Sequence, residues 1–324
     1  GSIVLNQIVD SNDFQDFANN FESGDKVFII SSIFGGTGAS GFPLLLKTLR
    51  TGTNFRNNDL INHAEIGAIT ILPYFKLKND DESEIDSSTF ISKTKSALAY
   101  YENNISKNNS IDALYFLADD VTNTYENHEG GSAQQNDAHL VEFLAATAIV
   151  DFSNKQHANT SNKELGLKDF TGSVTFDSFY DKQKRLLYAP LTEFMMMANC
   201  LNHKFDYYSS KDFNANNDNF SGLYGSSFMS ELQNLTGSFI EWLGEMKKNK
   251  RSLDLFNLNT KDKPFEVVTG IKPKRIVSLK SDYDLVTDRL NSAVKKCHSK
   301  ENNDKFLEMF YLGMTKLFNE KFNV

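Results

Sequence analysis

Cysteine is scarce in this chain: two residues among 324, Cys200 and Cys297, with no CxxC spacing between them. A disulfide-stapled scaffold and a cysteine-based zinc site are both excluded on that count. The six histidines are scattered and form no HxxxH or HExxH pattern, so no metal ligation is expected. No apolar run approaches the ~18 residues of a membrane span. The longest, around Leu140 to Val150, contains Glu142 and is bounded by Asp137 and Asp151. Gly1-Ser2-Ile3 lacks the basic-then-apolar layout of a signal peptide, so the expected location is cytoplasmic. There is no excess of positive charge either. The net charge is −8 and the pI about 5.3, which argues against nucleic acid as a partner. A nucleotide ligand stays open, because backbone amides hold phosphate without net positive charge.

What is present suits a packed globular chain: 40% apolar, 12% aromatic and 23% charged residues. At this length two domains are expected, over residues 1–153 and 154–324. Phe14, Phe17, Ala18 and Phe21 recur at helical spacing behind Ser11 or Asn12 as a cap. Lys26 to Phe34 then reads as a buried parallel strand, and Gly35 to Gly41 opens a helix running to Arg50, with Pro43 in its first turn. A second strand is expected at Ile66–Leu72, a helix at Ser87–Asn103, and a third strand at Ala113–Leu117. An apolar helix follows at Asp137–Phe152. That alternation predicts an α/β fold with a doubly wound, mostly parallel sheet. Beyond Asn162 the pattern changes to an expected α+β domain. It holds short strands at Ser173–Phe176, Phe265–Thr269 and Arg275–Leu279, and helices at Lys182–His203, Phe228–Lys248 and Asn303–Phe322.

Four glycines in seven residues sit between a buried strand and an apolar helix. Glycine admits close approach, and a helix start offers unpaired N–H groups and the positive dipole end. Thr37 and Ser40 add hydroxyl donors. The plainer alternative is a tight turn that needs glycine for its own sake. Two families use such a loop. Gly35, Gly38 and Gly41 form GxxGxxG, the spacing of short-chain dehydrogenases. Gly36-Thr37-Gly38-Ala39-Ser40 resembles the GGTGSG signature of the tubulin/FtsZ superfamily. The helix ahead of the strand, the Pro73-Tyr74-Phe75 turn after the next strand, and Gln135 to Glu142 at the start of the central helix favour the second resemblance, over about residues 11 to 153.

That resemblance implies a tubulin/FtsZ-like nucleotide-binding domain joined by a central helix to the second domain, and GTP or GDP as ligand. Gly35, Gly36, Thr37, Gly38, Ala39 and Ser40 would hold phosphates, Pro73 would border the ribose, and Asn136, then Asp137, would read the guanine edge. Mg²⁺ and assembly into a homo-oligomer or filament are implied too. The family's further glycine-rich loops have no counterpart ahead of Ser11, and no NxDxxD pattern follows Phe152. Asp177 and Asp181, spaced by four, are the nearest acidic pair and the candidate catalytic residues, so hydrolysis is expected to be weak. The dehydrogenase alternative would bind NAD(P) and use Tyr180 and Lys184 as its YxxxK acid–base pair. A non-enzymatic tubulin-fold scaffold is the third reading. The acidic run Asp80 to Asp86 is expected to be a solvated loop, with a magnesium or ribose contact as its sharper alternative.

Overall fold

The computed structural model describes residues 7–78, 89–121, 123–126, 138–154, 167–168, 172–209, 220–260, 263–274 and 280–322. The chain divides into two compact units: Gly1–Asn136 with Val141–Lys163, and Asp137–Leu140 with Glu164–Val324.

The first unit is α/β. Helix α1 (Asn12–Asn20) starts at Ser11, whose Oγ accepts the Phe14 N–H at 3.3 Å. Its last carbonyls are taken up by Asn57, which sits at φ 55° and donates from Nδ2 to the oxygens of Ala18, Asn19 and Phe21. Strand β1 (Lys26–Ser32) leads through Gly35 into α2 (Gly36–Thr51), then α3 (Asn58–His63) and β2 (Glu65–Ile71). A short β3 (Phe75–Leu77) precedes α4 (Phe90–Tyr101), whose end widens into a π-turn over Glu102–Ser106. Then come β4 (Ala113–Leu117), β5 (Asn123–Tyr125) and α5 (Leu140–Ser153).

The main sheet runs β1-β2-β4, all parallel, with Lys26 opposite Glu65 and Gly67 opposite Ala113. β3 and β5 pair parallel beside it as a separate ribbon. The order advances in one direction, and no reversal falls within the described strands. Right-handed crossovers therefore place α2 and α4 on the same face. Ile29, Ile33, Ile66 and Ala68 pack there against Phe42, Leu46, Leu49 and Tyr101. Each buried leucine of that layer contributes ~1.5–3 kcal/mol. The other face must be covered from elsewhere, and α5 does it. Ala145 and Ala148 lie on Ile69, Phe28, Tyr115 and Leu117, and the Phe152 ring packs tilted against Phe28 with centroids 5.3 Å apart. Gly67 makes that approach possible, since a Cβ there would come within 2.8 Å of both rings.

Arg50 ties the opposite ends of the strands together. Its guanidinium donates to the carbonyls of Ser110 (2.7 Å), Asn62 (3.2 Å) and Ala64 (2.7 Å) and to Asp112 Oδ2 (2.7 Å). Asp112 in turn accepts the Ile66 N–H at 2.7 Å.

The second unit is helical among its described residues: α6 (Asp181–His203), α7 (Phe205–Ser209), α8 (Ser227–Lys248), α9 (Asp282–Val294) and α10 (Asn302–Lys321). The expected strands are corrected here. Ser173–Phe176 is reduced to one bridge, Val174 with Leu253, and Phe265–Thr269 to another, Phe256 with Val268. Among the described residues neither finds a strand to extend along. Residues Phe176–Ser178 instead close a 3₁₀ turn, with Thr175 and Ser178 capping each other. Arg275–Leu279 lies outside the described residues. Helix α9 has no counterpart in the sequence reading, although Leu285, Leu290 and Val294 mark its buried side.

Candidate functional site

The glycine turn lies at the carboxyl end of β1, where open parallel sheets place their ligands. Ile33 keeps the chain in strand geometry past Ser32, donating its N–H to Ile71 O at 2.9 Å. Gly35 (φ −98°, ψ 147°) is the N-cap of α2 without a capping side chain. The first intrahelical bond runs from Ala39 N to Gly35 O at 3.0 Å. The N–H groups of Gly36, Thr37 and Gly38 stand ahead of it, unclaimed by the helix. Gly36 and Thr37 are exposed.

The other two residues assigned to the phosphate have polar groups already engaged within the fold. Ser40 Oγ donates to Gly36 O at 2.7 Å, and Ala39 O accepts the Tyr101 hydroxyl at 3.0 Å. Burial, followed by the neighbouring Tyr100, pushes Tyr101 up to about 12, so it holds its proton in that bond.

The glycines differ in what they are for. None in the turn has a positive φ. A Cβ on Gly36 or Gly41 would meet nothing within 4 Å, whereas one on Gly38 would sit on the Ser32 carbonyl oxygen and 2.9 Å from the Ser32 nitrogen. Gly38 is therefore required by the close seating of α2 on the end of β1. A bulky side chain there disturbs the fold before it can block a phosphate.

Beside the turn lies an aromatic cluster that local sequence patterns do not reveal. Phe34 meets Phe90 (5.1 Å), Phe75 (5.7 Å) and Tyr74 (6.4 Å). These contacts bring the turn after β1 against the Pro73-Tyr74-Phe75 turn after β2, with Pro73 buried. Burial, then Glu142 of α5, raises the Tyr74 pKa. Behind the turn, Ser31 and Thr70 are register partners, and their buried hydroxyl oxygens have no hydrogen-bond partner among the described residues.

Asn136 and Asp137 lie outside the described residues, as does Asp80–Asp86. Asp177 and Asp181 belong to the second unit and are exposed. Asp177 pairs with Lys184 at 2.6 Å, and Asp181, in the first turn of α6, is 3.9 Å from Lys168. Lys184 also lies over the Tyr188 ring at 5.6 Å, so its ammonium is directed at Asp177 and Tyr188. Tyr180 is the exposed N-cap of α6.

No lysine or arginine occurs between Ser31 and Phe42, so the turn itself offers an anion amides and the helix dipole and no charged side chain. Among the described residues no group of three or more His, Cys, Asp or Glu could hold a metal ion, and no helix is long and apolar enough to cross a membrane. No protein-family model, curated protein or solved structure matches the chain.

Proposed function

We propose that the first unit is a nucleotide-binding module that holds the phosphates of GTP or GDP at the N–H groups of Gly36, Thr37 and Gly38. The observation that carries it is three N–H groups at the start of a 16-residue helix, on the carboxyl end of a parallel strand, with open space at Gly36. The guanine base rests on the tubulin/FtsZ resemblance alone, with Asn136 and then Asp137 reading its edge. Three parallel strands with a helix before the first and an apolar helix after the last agree with that order. Mg²⁺ would be carried mainly by phosphate oxygens and water. Hydrolysis is weak, because the two candidate carboxylates are exposed and each faces a lysine. Self-assembly and a role without turnover are compatible with this module.

Calorimetry of the full chain with GTP, GDP, ATP and NADPH tests the proposal. Heat of binding with GTP and GDP is expected, abolished in Gly36→Val, whose side chain would cover the amides without touching the fold. Preference for NADPH would favour the dehydrogenase reading. Unchanged GTP affinity in Gly36→Val would remove the turn from the site.

A further inference from the structure

The outer edge of β1 sets residue type at odds with position. From Val27 to Ile30 the strand is a continuous apolar run, of the kind parallel sheets place between two neighbours. Here it pairs on one side, with β2, and among the described residues no strand takes the other. Ile33 donates its N–H across the β2 seam, and backbone groups alternate direction along a strand. Odd-numbered residues therefore face β2, while Phe28, Ile30 and Ser32 turn their N–H and C=O groups to the open edge. Ile30 is 58% exposed at its centre.

Among the described residues the strand itself carries none of the usual protections of an edge. The register with β2 is unbroken by a bulge, no proline occurs, and the single charged residue, Lys26, has its ammonium 2.6 Å from Glu65. Alongside Lys26, α1 leaves an open groove lined by Asp16, Phe17, Asn20, Phe21 and Asp25, in which Phe17 is exposed.

We propose that this edge is an interface between two copies of the chain, with β1 pairing antiparallel to β1 of the second copy about a two-fold axis at Ile29. The strand is self-complementary in that register. Phe28 falls opposite Ile30 of the partner subunit, and both turn their backbone groups outward, so the closely bonded positions use the open N–H and C=O groups. Both side chains project to the same sheet face, setting an aromatic ring against a β-branched chain at two symmetric points. Lys26 falls opposite Ser32 of the partner subunit, so no like charges meet. An axis between two residues would set outward groups against inward ones, and a register centred on Ile29 pairs the whole strand.

Sedimentation over a concentration series, with hydrogen exchange read at each concentration, tests the interface independently of any nucleotide. A reversible dimer is expected, with the Phe28 and Ile30 amides slowing as it forms. Ile30→Lys, at an exposed position, is expected to keep its circular dichroism and melting temperature and to weaken the dimer at least tenfold. A monomer at every concentration would overturn the proposal. So would a dimer that forms without slowing those two amides, a readout of the wild-type chain that does not depend on the variant folding.

Discussion

The two units hold themselves together differently. In the first, large elements meet at single points where only one atom arrangement fits: α2 over Ser32 at Gly38, α5 over β2 at Gly67, and the Arg50 guanidinium among three carbonyls and Asp112. The second is a set of helices whose core sets adaptable methionines among phenylalanine rings such as Phe176, Phe256 and Phe310. Met195, Met196 and Met197 of α6 are all buried, and methionine adjusts to irregular space at small cost. A unit built on backbone approaches should be brittle. One built on long flexible side chains should absorb change.

Gly38→Val is the severest test of that contrast. Overpacking against backbone leaves no side chain to move, and a loss on the order of 4 kcal/mol or more is expected. Gly36→Ala, two residues away in open space, should stay within ~1 kcal/mol of wild type. Far-UV circular dichroism would follow both units, while fluorescence of Trp242, the only tryptophan, reports the second. The expected result is a lowered dichroism transition with an unmoved fluorescence midpoint. A common shift of both signals would mean that the units do not unfold separately.

A smaller effect separates polar from apolar joints. Arg50→Met keeps the stem but leaves Asp112 and three carbonyls short of a donor, for a loss of ~3 kcal/mol in urea denaturation. Met196→Leu, buried in the second unit, should cost under ~1.5 kcal/mol. Equal losses would erase the distinction between a brittle and an adaptable unit.

The mildest test is pH, and it lies within the second unit. Burial raises the Glu193 pKa, partly offset by the Thr315 hydroxyl that donates to it at 2.9 Å. A raised folded-state value stabilises below the ordinary carboxylate range and is lost as pH rises through the shifted value. Glu308 is opposite. Hydrogen bonds from the Ser299 side chain and from the His298 and Ser299 N–H groups hold it down to about 2. Its contribution is present above the ordinary carboxylate value and lost as pH falls towards 2. Melting temperatures from pH 2 to 7 should show Glu193→Gln gaining on wild type as pH rises and Glu308→Gln falling behind. The same sign for both would contradict the environments described.

Much of the first unit could be read without coordinates. β1, β2, β4 and α2 announce themselves because burial on both sheet faces demands unbroken apolar runs, and a strand-to-helix turn punctuates them with glycine. The long helices α6, α8 and α10 fall within a residue or two of the expected ends, since each carries its own 3.6-residue apolar period. Helix α9 escaped because its buried side mixes Thr287 with Leu285, Leu290 and Val294, and acidic residues on the opposite side break the linear apolar run. The ribbon of β3 and β5 escaped because three-residue strands have no pattern of their own.

At the glycine turn, sequence by itself determined that a buried strand ends, a helix begins and the amides between them are open, because residue types limit the local backbone. Which glycine is indispensable was decided only in three dimensions. Gly36 and Gly38 are indistinguishable as letters, yet one faces open space and the other the Ser32 carbonyl. The same holds for Arg50, whose partners come from Asn62 to Asp112, and for Phe34, whose ring is met by residues 40 to 56 positions away. Local propensity acts over a few residues, whereas exclusion of volume and satisfaction of buried charge act between whatever the fold brings together.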